Sequence, residues 1–310
     1  MNIARRAPAL ADYVLLVSLA MLFGFSFTLT RIAVLDIPPL SIAAGRLLLA
    51  FVMLYPLMRV FGQRMPAPGR VWITIMAAGF FGNALPFSLI SWGQVRVEAG
   101  LTSIFMAVMP LFTILMAHVV TQDEKLTRWK LAGVLFGLAG VVVLMGVSAL
   151  NALGDELVRQ SAILISAVSY AINALLTRHL THLPRWSVMT ALMFVSCVML
   201  LPVTMLVDQP WQLQPSWQSL SALLALAIGP TVVATVMILI IIGRQGASFL
   251  SQINFMVPVF GMLAGVLLLG ERLPANAYVA LGIILIGIAL SRFGMKAGRH
   301  PDPNGLVERP

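Results

Sequence analysis

Long runs of apolar residues dominate the chain, and each run is about as long as a membrane is thick. A hydrocarbon core about 30 Å across needs about 20 mostly apolar residues per helix, and such runs follow one another with only short breaks. The breaks contain the proline, glycine and charged residues that are typical of turns. The pattern therefore predicts ten membrane-spanning helices: Tyr13–Val34, Leu40–Phe61, Val71–Trp92, Ala99–Thr121, Arg128–Val147, Leu157–Thr177, Trp186–Val207, Ser219–Ile241, Ala247–Leu269 and Pro274–Phe293.

The composition agrees with this pattern. Of the 310 residues, 60% are hydrophobic and 10% are charged, whereas a soluble domain has about 45–50% apolar and about 25% charged residues. We therefore predict an all-α polytopic membrane protein surrounded by the lipid bilayer. The single cysteine, Cys197, lies inside a predicted span, so it cannot form a disulfide within the chain.

The net charge of +9 is explained by membrane topology. Most Lys and Arg residues fall in alternate loops and in the two tails, while the opposite loops carry Arg31, Arg96, Arg159 and Arg272. An excess of positive charge marks the cytoplasmic side of a membrane protein. The distribution predicts that both termini are cytoplasmic, and it removes any need for a nucleic-acid partner.

The second half of the sequence repeats the first. The segment "LFTILMAHVVTQDEKL" after Pro110 resembles "VFGMLAGVLLLGERL" after Pro258, and Gly133 then aligns with Gly282. Since each half has an odd number of helices, the second half enters the membrane from the opposite side, as in many transporters. We expect two inverted five-helix repeats, at 1–150 and 151–296, followed by a flexible cytoplasmic tail at 297–310.

The ordered motifs resemble those of the EamA family of the drug/metabolite transporter superfamily. They are "FGFSFTLTR", "PPLSIAAGRLLLAFV", "AGLTSIFMAVMPLFT" and the second copy "ASFLSQINFMVPVFGMLAGVLLLGERL". The resemblance covers nearly the whole chain. It implies a ten-helix transporter of the bacterial inner membrane, and many members of the family export amino acids or related metabolites.

Two prolines interrupt apolar runs at matching positions of the two halves, Pro110 and Pro258. A proline inside a helix removes a backbone hydrogen bond, and membrane proteins tolerate such breaks where other helices or a water-filled cavity satisfy the backbone. The duplication predicts hinges at a central site, and we assign Pro86 to the same class. A kink that only aids packing is the alternative for each proline.

Polar, aromatic and methionine residues near these breaks are candidate substrate contacts. The Asn, Ser and Gln side chains could equally form hydrogen bonds between helices, and the Met and aromatic residues could simply pack in the core. A neutral polar cavity of this kind suits a zwitterion with an apolar side chain. The candidates are Asn83, Ser88, Trp92, Ser103, Met106, Tyr170, Asn173, Ser251, Gln252, Asn254 and Phe255.

Arg46 places a charge inside the second predicted helix, seven residues after Pro39. A charge in a membrane span is costly and points to function by default. We predict a structural anchoring role for Arg46, and contact with a substrate carboxylate is the alternative. The small residues Gly133 and Gly282 predict close packing of the fifth and tenth helices, away from the substrate.

Some chemistries find no support in the sequence. All eleven acidic residues lie near the end of a predicted span or outside the spans, which disfavours a proton relay inside the membrane. His179 and His182 lack nearby ligands, so we predict no metal and no cofactor, and no cluster of catalytic residues suggests an enzyme.

The sequence therefore predicts a transporter, of monomeric or weakly dimeric state, that moves amino acids or related small metabolites by alternating access. Export is the favoured direction, and the flux is expected to be facilitative. Efflux of drugs or toxic compounds is the main alternative, and an integral-membrane lipid enzyme is a weaker one.

Overall fold

The computed structural model describes residues 8–120, 127–145 and 155–297. These residues form apolar helices that we label α1 to α10, which confirms the all-helical membrane class. Eight of the described helical spans are long and apolar enough to cross a membrane, and two shorter apolar helices follow, Ile253–Leu269 and Ala275–Ser291. The labels refer to α1 Leu10–Ala33, α2 Pro39–Val60, α3 Val71–Gly93, α4 Ala99–Val120, α5 Arg128–Met145, α6 Asp155–Arg178, α7 Arg185–Val207, α8 Trp217–Arg244, α9 Ala247–Leu250 with Ile253–Leu269, and α10 Ala275–Ala297.

Helices α3 and α8 each contain a widened, π-helical turn near the middle, at Phe80–Ala84 and Ile228–Val233. Such turns insert one extra residue and leave a backbone carbonyl without its usual partner. In α3 the Ser169 hydroxyl donates to the Phe81 carbonyl at 2.7 Å. In α8 the Thr231 hydroxyl donates to the Leu226 carbonyl at 2.8 Å. Side chains thus satisfy the backbone where the helix is disturbed.

Helices α4 and α9 are both interrupted, but their prolines occupy different places. In α4 the break falls at residues 107–108, and Pro110 lies in the first turn of the helix that follows. In α9 the break falls at residues 251–252, and Pro258 lies inside the helix Ile253–Leu269. The interruption of α9 therefore precedes its proline by more than one helical turn.

Helices α5 and α10 pack backbone against backbone. A Cβ atom added to Gly133 would lie 2.5 Å from the Gly287 carbonyl oxygen, and one added to Gly287 would lie 2.6 Å from the Gly133 carbonyl oxygen. A Cβ atom at Gly282 would meet nothing within 4 Å. The prediction that Gly282 makes this contact is wrong, because Gly282 lies five residues, or about 140° of helix rotation, away from the residue that does.

We call one end of the bundle the Arg31 end. Polar contacts there join turns that lie far apart in the sequence. Arg31, at the end of α1, donates to the Val95 carbonyl in the turn after α3 at 2.9 Å. The Asp208 carboxylate, after α7, accepts from the Ser41 backbone N–H at the start of α2 at 2.8 Å. These contacts join α1 to the turn after α3, and α2 to the end of α7.

Polar contacts also hold the opposite end, the Asp12 end, together. The Asp12 carboxylate in α1 accepts from the Gln245 amide after α8 at 2.7 Å. The Gln63 side-chain oxygen, after α2, accepts from the Ser187 backbone N–H at the start of α7 at 3.1 Å. These contacts join α1 to α8 and α2 to α7.

Candidate functional site

A cavity of about 570 Å³ lies in the middle of the bundle. Residues of α1, α2, α3, α4, α6, α7, α8 and α9 line it, and none of the lining residues belongs to α5 or α10. Ligand sites in proteins have volumes of about 300–1,000 Å³, so this cavity can hold a small metabolite. The paired helices α5 and α10 stand outside it.

The structure brings together most of the residues that the sequence singled out. The cavity wall includes Asn83, Ser103, Met106, Tyr170, Asn173, Ser251 and Asn254, together with Arg46, Pro110 and Pro258. These residues come from both halves of the chain. The site is therefore a surface that no single helix provides.

Five candidates lie outside the cavity wall. Ser88 donates to the Ala84 carbonyl of its own helix at 2.8 Å, and Pro86 is buried in the first turn after the π-helical segment. Trp92 packs under the Arg159 guanidinium, 4.5 Å from the ring centroid.

The other two belong to α9. Gln252 lies at the interruption and precedes the helix Ile253–Leu269, while Phe255 packs against the core cluster that contains Phe105. In the stretch before Pro258, Ser251 and Asn254 thus line the cavity, whereas Phe255 packs in the protein core.

The positions in α3 follow helical geometry. Ser88 and Trp92 are five and nine residues after Asn83, which places them about 140° and 180° around a regular helix. Phe87 and Ser91, at four and eight residues, are on the same face as Asn83 and line the cavity. A period of 3.6 residues per turn therefore explains why Phe87 and Ser91 line the cavity and Ser88 and Trp92 do not.

Arg46 is the charged side chain of the cavity wall. It is 9% exposed, and its guanidinium carbon lies 4.0 Å from the centroid of the Phe87 ring. Its Nε donates to the Thr231 hydroxyl at 2.7 Å. Contacts from α3 and α8 therefore hold the guanidinium of an α2 residue in one orientation.

Two asparagines meet at the π-helical turn of α3. The Asn83 amide donates to the Ser196 hydroxyl of α7 at 3.3 Å. The Asn173 side chain of α6 lies directly against Gly82, where an added Cβ would approach its Cγ to 2.6 Å. The Asn173 Oδ1 is buried and accepts no hydrogen bond from the protein. Asn173 therefore carries a buried acceptor that has no partner in the protein.

Ser103 joins α4 to α9 beside the cavity. Its hydroxyl lies 2.7 Å from the Gly100 carbonyl and 3.2 Å from the Pro258 carbonyl. Gly261 accommodates this approach, because a Cβ atom at that position would overlap the Ser103 side chain. Ser103 thus links the two interrupted helices at the cavity wall.

The turn at residues 94–98, which we call the closed turn, lies at the Arg31 end just beyond the wall residues Ile90 and Ser91. Gln94 is fully buried, and its amide donates to the Phe27 carbonyl of α1 at 2.9 Å. The Arg31 guanidinium donates to the Gln94 carbonyl. The Glu271 carboxylate accepts from the Ala99 N–H at 2.7 Å just beyond the turn. Residues from α1 and the end of α9 thereby hold the closed turn in place.

The cavity extends toward the Asp12 end. Its wall includes Thr177, the penultimate residue of α6, and Ala247, the first residue of α9. At the other extreme it reaches Thr30 and Ser91, just before the closed turn. The wall of the cavity therefore runs from residues next to the closed turn to residues at the Asp12 end of the bundle.

Sequence reasoning missed several parts of the wall. Thr231 and Thr235 in α8, Thr30 in α1 and the aromatic ring of Phe87 all line the cavity. The segment "IGPTVVAT" did carry a signal, since a proline followed by hydroxyl residues four apart marks one face of a disturbed helix. Its relation to Arg46, 185 positions earlier, appears only after folding.

The electrostatics of the site are simple. Among the cavity-lining residues, Arg46 carries a formal charge, and the wall contains no Asp, Glu, Lys or His. Within the described part of the chain, no group of three or more His, Cys, Asp or Glu side chains is placed to hold a metal ion. Binding in this cavity must therefore use hydroxyl and amide groups, aromatic faces and one guanidinium.

An apolar helical bundle of this kind is typical of a multi-pass membrane protein, and its central, partly polar cavity of metabolite size is a candidate solute site. The comparisons with known proteins agree with this class. The model of the EamA-like transporter family matches residues 11–146 and 160–293. The chain belongs to this family, as the motifs predicted.

Several relatives are similar over most of their length. An uncharacterized inner membrane transporter of Escherichia coli, YedA, is 25% identical and matches 90% of this chain and 90% of its own. A protein of the same organism named "Probable amino-acid metabolite efflux pump" is 25% identical, with 92% of this chain and 96% of its own covered. An S-adenosylmethionine/S-adenosylhomocysteine transporter of Chlamydia trachomatis is 25% identical over 87% of this chain and 86% of its own.

A solved crystal structure has the same fold. The two chains superpose with a TM-score of 0.66 at 19% sequence identity, covering 92% of this chain and 99% of the other. At this level of identity the likeness concerns the fold alone.

Proposed function

We propose that the protein is an inner-membrane exporter of amino acids and related small metabolites that works by alternating access. The observation that carries this proposal is the central cavity, which is metabolite-sized, is lined from both halves of the chain and lies next to a buried, hydrogen-bonded turn at the Arg31 end. The match of the family model to two separate segments supports an origin in two repeats. The amino-acid efflux relative supports the substrate class.

The distribution of basic residues supports a direction. The Asp12 end lies on the side of the chain that carries most of the Lys and Arg residues, which by the positive-inside rule is cytoplasmic. In that orientation the closed turn faces outward and the cavity receives solutes from the cytoplasm. This is the loading state that an exporter requires, and opening of the Arg31 end would release the cargo.

The wall of the cavity supports facilitative flux. Proton-coupled carriers use intramembrane acids as relays, and the cavity wall carries no Asp or Glu. A solute would therefore move down its own gradient. The hydroxyl and amide groups of the wall suit the polar end of an amino acid, and Phe27, Phe87 and Met106 suit an apolar side chain.

Transport into proteoliposomes tests the proposal. Purified protein is reconstituted, and uptake of a radiolabelled amino-acid panel is measured with and without a pH gradient. We expect saturable downhill uptake of one or more apolar amino acids, at rates that the gradient does not change. No uptake of any amino acid by correctly folded, reconstituted protein would overturn the assignment.

A matched pair of substitutions ties the flux to the cavity. Met106→Trp fills part of the cavity wall, whereas Met205→Trp makes the same change on a residue that is 49% exposed on the outside of α7. We expect loss of uptake in the first variant and unchanged uptake in the second. Size-exclusion chromatography in detergent shows whether each variant remains folded.

Efflux of apolar drugs is the second candidate function, and the apolar part of the wall favours it. Met106, Met109, Met189 and Met193 line the cavity, and flexible methionines adapt to ligands of different shape. Competition by an organic cation such as ethidium in the same uptake assay separates the two functions. Strong competition, together with no amino-acid uptake, would favour drug efflux.

A further inference from the structure

Arg46 has a fixed position and an uncompensated charge. Its Nε is hydrogen-bonded to Thr231 at 2.7 Å, and its guanidinium plane lies over Phe87 at 4.0 Å. Within residues 8–120, 127–145 and 155–297, no carboxylate lies within 4 Å of this guanidinium, and its terminal nitrogens donate no hydrogen bond to the protein. The guanidinium is therefore held in one orientation, and no anionic group of the described residues pairs with it.

The support of Arg46 is built into the disturbed turn of α8. Pro230 has no backbone N–H, so the carbonyl of Leu226, four residues earlier, loses its usual donor. The Thr231 hydroxyl replaces that donor at 2.8 Å. Because its hydrogen is used in this way, the Thr231 oxygen can only accept from Arg46, and this fixes the direction of the hydrogen bond.

The energetic setting favours an anion beside Arg46. A buried charge without a counter-ion is costly, and an arginine inside a membrane span normally pairs with another group or faces a water-filled cavity. Arg46 lines the cavity, and no acid occurs elsewhere in the wall. An incoming carboxylate would supply the missing counter-charge, and its two oxygens match the two terminal nitrogens of a guanidinium.

We propose that Arg46 is the carboxylate subsite of the transport site and that it restricts the cargo to molecules with a carboxylate or a similar anionic group. This rests on the proposed transport function and replaces a purely anchoring role for Arg46. Cations without an acidic group are rejected because Arg46 repels them.

The first experiment uses the unmodified protein and varies the substrate. Once the uptake panel has identified a transported amino acid, its carboxamide, its amino alcohol and its deaminated acid are compared as competitors. Hydrogen bonds to a charged group contribute about 1.5–3 kcal/mol, or roughly 10- to 150-fold in affinity. We expect the amide and the alcohol to compete at least about 10-fold more weakly, while the deaminated acid keeps most of its affinity.

The outcomes separate the two proposals. If no solute is transported at all, the transport function itself fails. If the amino acid, its amide and its alcohol compete equally well, transport stands and the role of Arg46 is overturned. Preference for the carboxylate supports the subsite, and this comparison does not depend on the stability of any variant.

The second experiment varies the site. Arg46→Gln removes the charge, Arg46→Lys keeps it without the fork, and Thr231→Val removes the support of Nε. We expect the half-saturation concentration to rise most in Arg46→Gln, with smaller increases in the other two. Arg46→Gln should also abolish the preference for the acid over the amide.

Arg59→Gln on the same helix is the matched control, because Arg59 is exposed. It should leave both the half-saturation concentration and the preference for the acid unchanged. Full carboxylate preference in a folded Arg46→Gln variant would overturn the proposal.

Discussion

The Glu271 carboxylate lies 2.8 Å from the backbone nitrogen of Gly100 and accepts its hydrogen bond. Glu271 follows Gly270, whose φ of +67° ends α9 in the left-handed region. It reaches the first turn of α4, where backbone N–H groups lack partners within the helix. The end of one interrupted helix therefore caps the beginning of the other, beside the closed turn.

This cap predicts a specific loss of stability. Glu271→Ala leaves the N–H groups of Ala99 and Gly100 without their acceptor, and a lost helix cap costs about 0.5–2 kcal/mol. We expect a lower melting temperature in detergent. Glu156→Ala, which changes an exposed carboxylate at the start of α6, is the control. Equal melting temperatures for the two variants would show that the cap contributes nothing.

The contact between α5 and α10 predicts a difference between two glycines. Gly133→Ala would place a methyl group 2.5 Å from the Gly287 carbonyl, whereas Gly282→Ala would place one in open space. Overpacking costs about 1–3 kcal/mol, so Gly133→Ala should lower the melting temperature while Gly282→Ala does not. Similar melting temperatures for both variants would contradict the observed packing.

The pH dependence of stability should report on Glu98. Burial, and secondarily the nearby Glu271 carboxylate, raise the pKa of Glu98 above its ordinary value of 4.5. A raised pKa means that the folded protein loses stability as the pH rises from the ordinary value through the raised one, because ionisation is unfavourable in the fold.

The isosteric variant Glu98→Gln isolates this effect. It should melt like the natural protein below pH 4.5 and at a higher temperature near pH 7. Thermal melting followed across that range measures the difference. A difference that stays constant with pH would exclude the ionisation of Glu98 as its source.

The hydrogen bonds of Arg31 predict how the closed end opens. In a chain whose Cys197 is replaced by alanine, Ser91→Cys reports access to the cavity near the closed turn. Arg31→Gln removes charged hydrogen bonds to the Gln94 and Val95 carbonyls. Since such bonds contribute about 1.5–3 kcal/mol, labelling by an impermeant thiol reagent from the Arg31 end should accelerate at least about 10-fold.

Arg96→Gln provides the control for this experiment. Arg96 lies in the same turn but is exposed, so its replacement should leave the labelling rate unchanged. Unchanged labelling in Arg31→Gln as well would show that Arg31 does not hold the turn closed.

The sequence by itself determined the membrane class and the succession of helices, and most of the site residues it singled out line the cavity. It could do so because lipid requires about 20 apolar residues per helix, and because polar residues inside such runs are costly unless they face a cavity or one another. Asn83, Tyr170 and Asn173 stood out for this reason. The family motifs carried the same information in their order.

Only the tertiary structure decided which side chains face one another. The π-helical turn of α3, for example, accepts a hydrogen bond from Ser169 of the neighbouring helix α6. Each residue turns a helix by about 100°. A small error in aligning the two halves therefore assigns the contact with Gly133 to Gly282, although Gly287 makes it. The pairing of Arg46 with Thr231 spans 185 positions, and packing alone brings the two residues together.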